Sequence, residues 1–264
     1  MSLHQLFCTN PAIAEETESP FKLALDPIDR NHVRALRLKA GEHIALVDAA
    51  SDYFEVEIVR IEGDDIWVRI ACHLDAPRKT TPIMLVQGLA KGEKMDTVLR
   101  QATELGIAGY YPTAMKRSVV QLDQKKAAKR AERAGQIARS AALQSGQITL
   151  PHVEGLSTLP ALIERWSAED AVLLFWEEAP LSDSVSALFD SLHASGTLHD
   201  FARIWVVIGP EGGITAEEID QIEGSDACVF LLSLGETILR TETAGVVACA
   251  LVANELREHP EEGH

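Results

Sequence analysis

Over residues 1–74 the apolar positions fall into short alternating runs. Phe54, Val56 and Ile58 share one face opposite Glu55 and Glu57, the period of two that predicts a half-buried strand over 53–61. His43 to Val47 precedes it and ends in the turn-like cluster Asp48-Ala49-Ala50-Ser51-Asp52; Ile66 to Ala71 follows Glu62-Gly63-Asp64-Asp65. Short strands joined by tight turns predict a small barrel or meander. A short helix is predicted over 29–37, with Asp26 or Asp29 as its cap.

From Ile83 the pattern changes. Ile83 to Gln87 reads as a strand, and Met95, Val98, Leu99, Ala102 and Leu105 then recur at helical spacing. Strands are predicted at 110–113, 150–153, 171–175, 204–208 and 227–231. Helices are predicted at 123–145, 159–166, 215–222 and 244–258, with a Ser-rich helix and loop over 181–200. The long helix has Ala127, Ala131, Ala134, Ile137 and Ala141 as its inner stripe. Thr215 opens its helix with Glu218 in the capping-box position. Alternation of this kind predicts an α/β fold with a mainly parallel sheet and helices on both faces. Residues 75–82 hold two prolines, two basic residues and no apolar period. They are read as a linker between a β domain, 1–74, and an α/β domain, 83–264.

A length of 264 residues is comfortable for two domains. No apolar run approaches the roughly 20 residues of a membrane span, and Met1 to Pro11 has no secretion-signal pattern; both point to the cytosol. Of the four cysteines, Cys8, Cys72, Cys228 and Cys249, none has a metal-ligand spacing, so no metal site is expected. Cys228 and Cys249 sit in apolar runs and read as small core residues. The formal net charge of −16 argues against nucleic acid as an average. Basic residues nevertheless cluster between Lys91 and Arg139, and a patch is enough to bind RNA on an acidic protein. The helix face Lys125, Lys126, Lys129, Arg130, Arg133 reads first as a solvated surface.

Two loops carry the chemistry. Ile204 to Ile208 runs into Gly209-Pro210-Glu211-Gly212-Gly213, where glycines permit close backbone approach to a ligand. Ala227 to Leu231 runs into Leu232-Ser233-Leu234-Gly235-Glu236-Thr237-Ile238-Leu239-Arg240-Thr241-Glu242-Thr243. Ile238 and Leu239 are apolar residues in a polar loop and suit the wall of a pocket for a flat ring. Arg240 is a fixed cation suited to a carboxylate, a phosphate or a developing oxyanion, and Glu242 is placed to pair with it. The competing readings are a tight strand-to-helix turn for the first loop and an Arg-Glu pair capping a helix for the second. Neither GxGxxG nor a Walker A pattern is present.

Together the loops resemble the ribosomal RNA small subunit methyltransferase E family of the SPOUT superfamily, whose pattern is a strand, GPEGG, a helix, a strand, and LG-x-x-ILR-x-ETA. Residues 204–257 reproduce it. Weaker resemblances extend along the chain: Lys91-Gly92-Glu93-Lys94-Met95-Asp96 with Ala102-Thr103-Glu104-Leu105-Gly106, Lys116-Arg117-Ser118, Ala141-Ala142-Leu143-Gln144-Ser145-Gly146 with Leu150-Pro151, and Asn31 to Arg37. The chain departs from the family pattern at Thr237, at Gln147 and at its N-terminus, Ser2-Leu3-His4-Gln5-Leu6-Phe7, which concerns RNA contact more than cofactor binding.

The resemblance implies a PUA-like β-barrel that binds RNA, a SPOUT domain with a C-terminal trefoil knot, and a homodimer. It implies transfer of a methyl group from S-adenosylmethionine to N3 of a uridine in 16S ribosomal RNA, without a metal. It assigns Gly209, Pro210, Glu211, Gly212, Gly213, Leu232, Leu234, Gly235, Ile238 and Leu239 to the cofactor. His32, Arg34, Arg37, Lys91, Lys94, Lys116 and Arg117 are assigned to RNA. Arg240 is expected to favour the uracil anion, with Glu242 orienting it. The alternatives are a non-catalytic RNA-binding or ribosome-assembly module, and a nucleotide-dependent transferase of another kind.

Overall fold

The computed structural model describes residues 3–16, 19–75, 80–119 and 124–260, the side chains of 124–127 excepted. It divides into two compact units, Met1–Arg78 with Arg139–Leu150, and Lys79–Ala138 with Pro151–His264. The segment Arg139–Leu150, expected inside the second domain, thus belongs to the first unit. Residues 76–79 of the expected linker, Asp123, and the side chains of Lys125, Lys126 and Ala127 lie outside the described residues.

The first unit holds a five-stranded sheet in the order β1-β3-β4-β5-β2, with β1 His4–Phe7, β2 Phe21–Lys22, β3 His43–Val47, β4 Tyr53–Glu62 and β5 Asp65–His73. β3, β4 and β5 form an antiparallel meander, β2 pairs antiparallel with β5, and β1 runs parallel to β3. Alternation along β4 puts Phe54, Val56 and Ile58 into a core with Leu6, Ile44, Leu46, Ile66 and Val68. Helix α1, Pro27–Leu36, is capped by Asp26, whose carboxylate accepts from the Ile28 and Asp29 amides at 2.8 and 3.0 Å. Arg139 hydrogen-bonds Asp29 and lies 2.8 Å from Asp26. Asp29 is wholly buried, and burial pushes its carboxyl up to about 6 despite that guanidinium. Ala142 and Leu143 pack with Phe7 and Val47.

In the second unit the strands are β6 Ile83–Gly88, β7 Gly109–Ala114, β8 His152–Val153, β9 Ser157–Thr158, β10 Asp170–Phe175, β11 Arg203–Ile208 and β12 Cys228–Leu232. Their order is β12-β10-β11-β6-β7-β8, with β9 beside β7, and every pairing is parallel. The helices are α2 Lys94–Glu104, α3 Gln124–Ser145, which passes into the first unit at Arg139, α4 Leu159–Ile163, α5 Val185–Ser195, α6 Ala216–Glu223 and α7 Thr241–Glu258. Leu85, Leu173 and Val206 face Val98 of α2 and Ala248 and Val252 of α7. Their neighbours Val86, Val172 and Val207 face Leu162 of α4 and Ile219 and Ile222 of α6. Burial on both faces explains why β6, β10 and β11 are continuous apolar runs. The α6 capping box is formed as expected, Thr215 and Glu218 each binding the other's backbone amide. One cysteine departs from expectation. Cys249 is buried, its thiol pushed up to about 12 by desolvation, whereas Cys228 is exposed because β12 is an edge strand.

Candidate active site

Because β10, β11 and β12 are adjacent and parallel, their carboxyl ends open on one edge of the sheet, the usual ligand position in such folds. Phe175 leads into Trp176 and Glu177, Ile208 into the glycine loop, and Leu232 into the Arg240 loop. These three segments enclose a cavity of about 360 Å³. Its lining includes Gly209, Pro210, Glu211, Gly213, Leu234, Gly235, Ile238, Leu239 and Arg240, all expected from the sequence. The glycine loop is closed by the Gly213 amide, which donates to Pro210 O at 2.9 Å. Gly213 at φ +73 and Gly235 at φ +109 hold conformations that side chains rarely adopt.

Three expected residues lie elsewhere. Gly212 faces Arg117: an added Cβ would come within 2.9 Å of Arg117 Cβ, and Arg117 donates to Gly212 O at 3.0 Å. Leu232 is the buried end of β12. Glu242 does not pair with Arg240. It stands in the first turn of α7, where its Oε2 lies 3.2 Å from Lys94 Nζ. Arg240 precedes that helix in extended backbone, exposed, and has no side-chain partner among the described residues. The sequence reading missed Phe175, Trp176, Glu177, Ile208, Ile214, Ser233, Glu236, Thr237, Thr241 and Ala244 of the lining. Of these, Phe175 had a signal in the chain, since it ends a buried strand of the parallel sheet.

Lys94 lines the cavity and joins its two sides, lying 3.2 Å from Glu211 Oε1 as well as from Glu242. Hydrogen bonding to Glu211 and then Glu242 raises its pKa and keeps it cationic. For Glu211 burial works against ionisation, but the Lys91 amide and Lys94 hold its carboxyl below the usual range. Beneath the loops, Gln87 at the end of β6 is wholly buried and donates from Nε2 to Thr241 Oγ1 at 2.8 Å. Thr241 Oγ1 donates to Gly209 O at 2.6 Å.

The residues expected at RNA are dispersed. In the first unit His32 is half-buried, its pKa lowered by burial and by His4; Arg34 pairs with Asp64; Arg37 is exposed at the end of α1, in left-handed backbone. In the second unit the Lys116 amide donates to Glu218 Oε1 at 2.7 Å and its Nζ lies 2.8 Å from Glu217 Oε2. Arg34, Lys94, Lys116 and Arg117 are therefore held by protein partners. The side chains of Arg37 and Lys91 have none among the described residues.

Residues 77–253 match a family model described as RNA methyltransferase domain. The chain is 31% identical over 224 residues to ribosomal RNA small subunit methyltransferase E of Bacillus subtilis (strain 168), covering 84% of this chain and 85% of that protein. It is 30% identical over 222 residues to the protein of that name from Mycobacterium tuberculosis, covering 82% and 79%. A solved structure of ribosomal RNA small subunit methyltransferase E from Neisseria gonorrhoeae bound to S-adenosyl methionine is similar with a TM-score of 0.76 and 25% identity, covering 94% of this chain and 95% of that one. A putative methyltransferase from Legionella pneumophila in complex with bound SAM gives a TM-score of 0.72 and 26% identity, covering 96% and 97%.

Proposed function

Because this chain belongs to the ribosomal RNA small subunit methyltransferase E family, we propose that it transfers a methyl group from S-adenosylmethionine to N3 of a uridine in 16S ribosomal RNA. The observation that carries the reading is the closure of the glycine loop and the Arg240 loop on one cavity. The lining fits the cofactor. Ile214, Leu234, Ile238 and Leu239 form an apolar wall for a flat ring, and Glu177, Glu211 and Glu236 with Lys94 and Arg240 suit a group carrying sulfonium, ammonium and carboxylate charges. Glycines at 209, 213 and 235 leave backbone open to approach.

S-adenosylmethionine, when bound, supplies a methyl already activated by its sulfonium. The work left to the protein is alignment and water exclusion. Uracil N3 must lose its proton to become nucleophilic, and a fixed cation favours the resulting anion. Arg240 supplies that cation from the cavity wall, its guanidinium uncommitted to any described carboxylate. Glu242 acts through Lys94, which it and Glu211 hold between the two loops.

The reading includes a PUA-like barrel for the first unit, supported by its meander of short strands. It also includes a trefoil knot, supported by α7, which packs on β6 and β11 although β12 before it lies beyond β10. The reading further includes a homodimer. An rRNA substrate places the reaction in the cytoplasm. RNA contact is assigned to His32, Arg34, Arg37, Lys91, Lys116 and Arg117, with Arg37 and Lys91 the side chains free to make it.

Labelled S-adenosylmethionine incubated with small ribosomal subunits lacking the modification, beside naked 16S RNA, tests this reading. Label on uridine N3, reduced at least about a hundredfold in Arg240→Ala, is the expected result. Cofactor binding without transfer to either RNA would refute the substrate. Absence of both would leave an RNA-binding or assembly module.

A further inference from the structure

We propose that the Thr241 hydroxyl is the positioning lock of the cavity, joining its two loops through a directional relay from Gln87 to the Gly209 carbonyl and thereby setting cofactor affinity. The inference rests on the cofactor reading of this cavity. Thr241 Oγ1 lies 2.6 Å from Gly209 O. A carbonyl only accepts, so the single hydroxyl proton points there. The same oxygen then accepts from Gln87 Nε2 at 2.8 Å. This direction fixes the Gln87 amide and leaves its Oε1 buried without a partner, 2.5 Å from where a Cβ on Gly245 would stand.

A wholly buried amide with an unsatisfied acceptor is a liability in a core, and such groups are rare enough to need a reason. Apart from a long 3.4 Å contact to Gly88 O, the only hydrogen bond Gln87's side chain makes among the described residues is the one to Thr241. Gly209 begins the glycine loop and Thr241 ends the Arg240 loop at the start of α7. Among the described residues no backbone hydrogen bond joins 209–213 to 233–240. The Thr241–Gly209 bond is the direct hydrogen bond between the walls, and Lys94 spans them by charge on the exposed side. Because the relay is sheltered, it holds the loops in register independently of salt.

Thr241→Val keeps the side-chain shape and removes the hydroxyl; Thr241→Ser keeps the hydroxyl. In calorimetric titration with S-adenosylmethionine, Thr241→Val is expected to raise Kd about tenfold and Thr241→Ser to stay within about twofold of the unsubstituted protein. The rate at saturating cofactor should change less than Kd. Amide hydrogen exchange over 211–213, measured without ligand, should quicken in Thr241→Val and recover in Thr241→Ser. Thr241→Ala also removes the hydroxyl and takes the place of Thr241→Val if that variant does not fold, with the same rise in Kd and the same faster exchange expected, because the bond to Gly209 O is lost in both. Unsubstituted affinity in a folded Thr241→Val protein, or serine as weak as valine, would overturn the lock. If the unsubstituted protein takes no S-adenosylmethionine, the cofactor reading fails separately. Exchange then decides the lock: faster exchange confined to the variants lacking the relay supports it, and unchanged exchange overturns it.

Discussion

Replacing Gly88 by alanine puts a methyl group into the backbone of the glycine loop. An ideal Cβ at Gly88 would stand 2.3 Å from Pro210 N, 2.7 Å from Gly209 C and 2.7 Å from Pro210 Cδ. Carbon needs roughly 3.5 Å from such atoms, so the strand end and the loop must separate by about 1 Å. The obstruction is peptide backbone and a proline ring, which cannot rotate aside as a flexible side chain would. The loop is held from the other side by the Thr241 hydroxyl on Gly209 O. Over-packing of this kind costs about 1–3 kcal/mol, and rigid partners place Gly88→Ala toward the upper end. For a unit of this size the midpoint should fall by roughly 4–10 °C. A cavity wall moved by about 1 Å should weaken S-adenosylmethionine at least about tenfold, since affinity depends on groups already placed. The assay pairs thermal unfolding with calorimetric titration, and Gly135→Ala serves as the control. An added Cβ at Gly135, in exposed helix, meets nothing within 4 Å, so that change should stabilise by about 0.5–1 kcal/mol. A Gly88→Ala protein with unchanged midpoint and affinity would refute the claim that the loop is wedged against β6.

Glu218→Ala leaves the Thr215 N-cap but removes the carboxylate that accepts from the Thr215 and Lys116 amides; a loss of about 2–3 kcal/mol is expected, read as a midpoint lowered by roughly 5–10 °C. Asp29 gives a pH dependence of definite sign. Its folded pKa is raised to about 6, so its contribution to stability is whole below the usual carboxylate pKa near 4 and is lost as pH rises through 6. Denaturant unfolding from pH 4 to 7 should show that decline flattened in Asp29→Asn. Thiol reagents should label exposed Cys72 and Cys228 in the folded protein and reach Cys8 and Cys249 only on unfolding, because those two are buried and burial pushes their thiols up to about 11 and 12.

The parallel sheet was legible because its central strands are apolar on both faces, and the α6 cap because a capping box is a local pattern. That the Arg240 loop lines a cavity was expected for a related reason, since an isolated Ile238-Leu239 pair in polar surroundings has few structural uses, whereas the glycine loop read equally as a plain strand-to-helix turn. What escaped the sequence depended on which strands become neighbours. Trp176 and Glu177 enter the cavity only because β10 lies between β11 and β12, and Cys228 is exposed only because β12 ends the sheet. Strand order is a property of the whole chain, and a run of apolar residues does not carry it. The partner of Glu242 escaped likewise. Sequence proximity suggested Arg240, two residues away, while the fold brought Lys94 from the start of α2.

The allotment of Arg139–Leu150 to the first unit bears on how the protein is made. As the chain emerges from a ribosome, β1 to β5 are complete long before Ala142 and Leu143, which cover Phe7 and Val47, and before Arg139, the counter-ion of a buried carboxylate. The nascent first unit must therefore wait, with an open apolar face and an unpaired Asp29, while the early strands of the second unit are synthesised. The unit written first in the sequence is finished by residues written later. A fragment cut at residue 78 should accordingly aggregate or require a chaperone, whereas the same fragment supplied with a peptide of residues 139–150 should regain solubility.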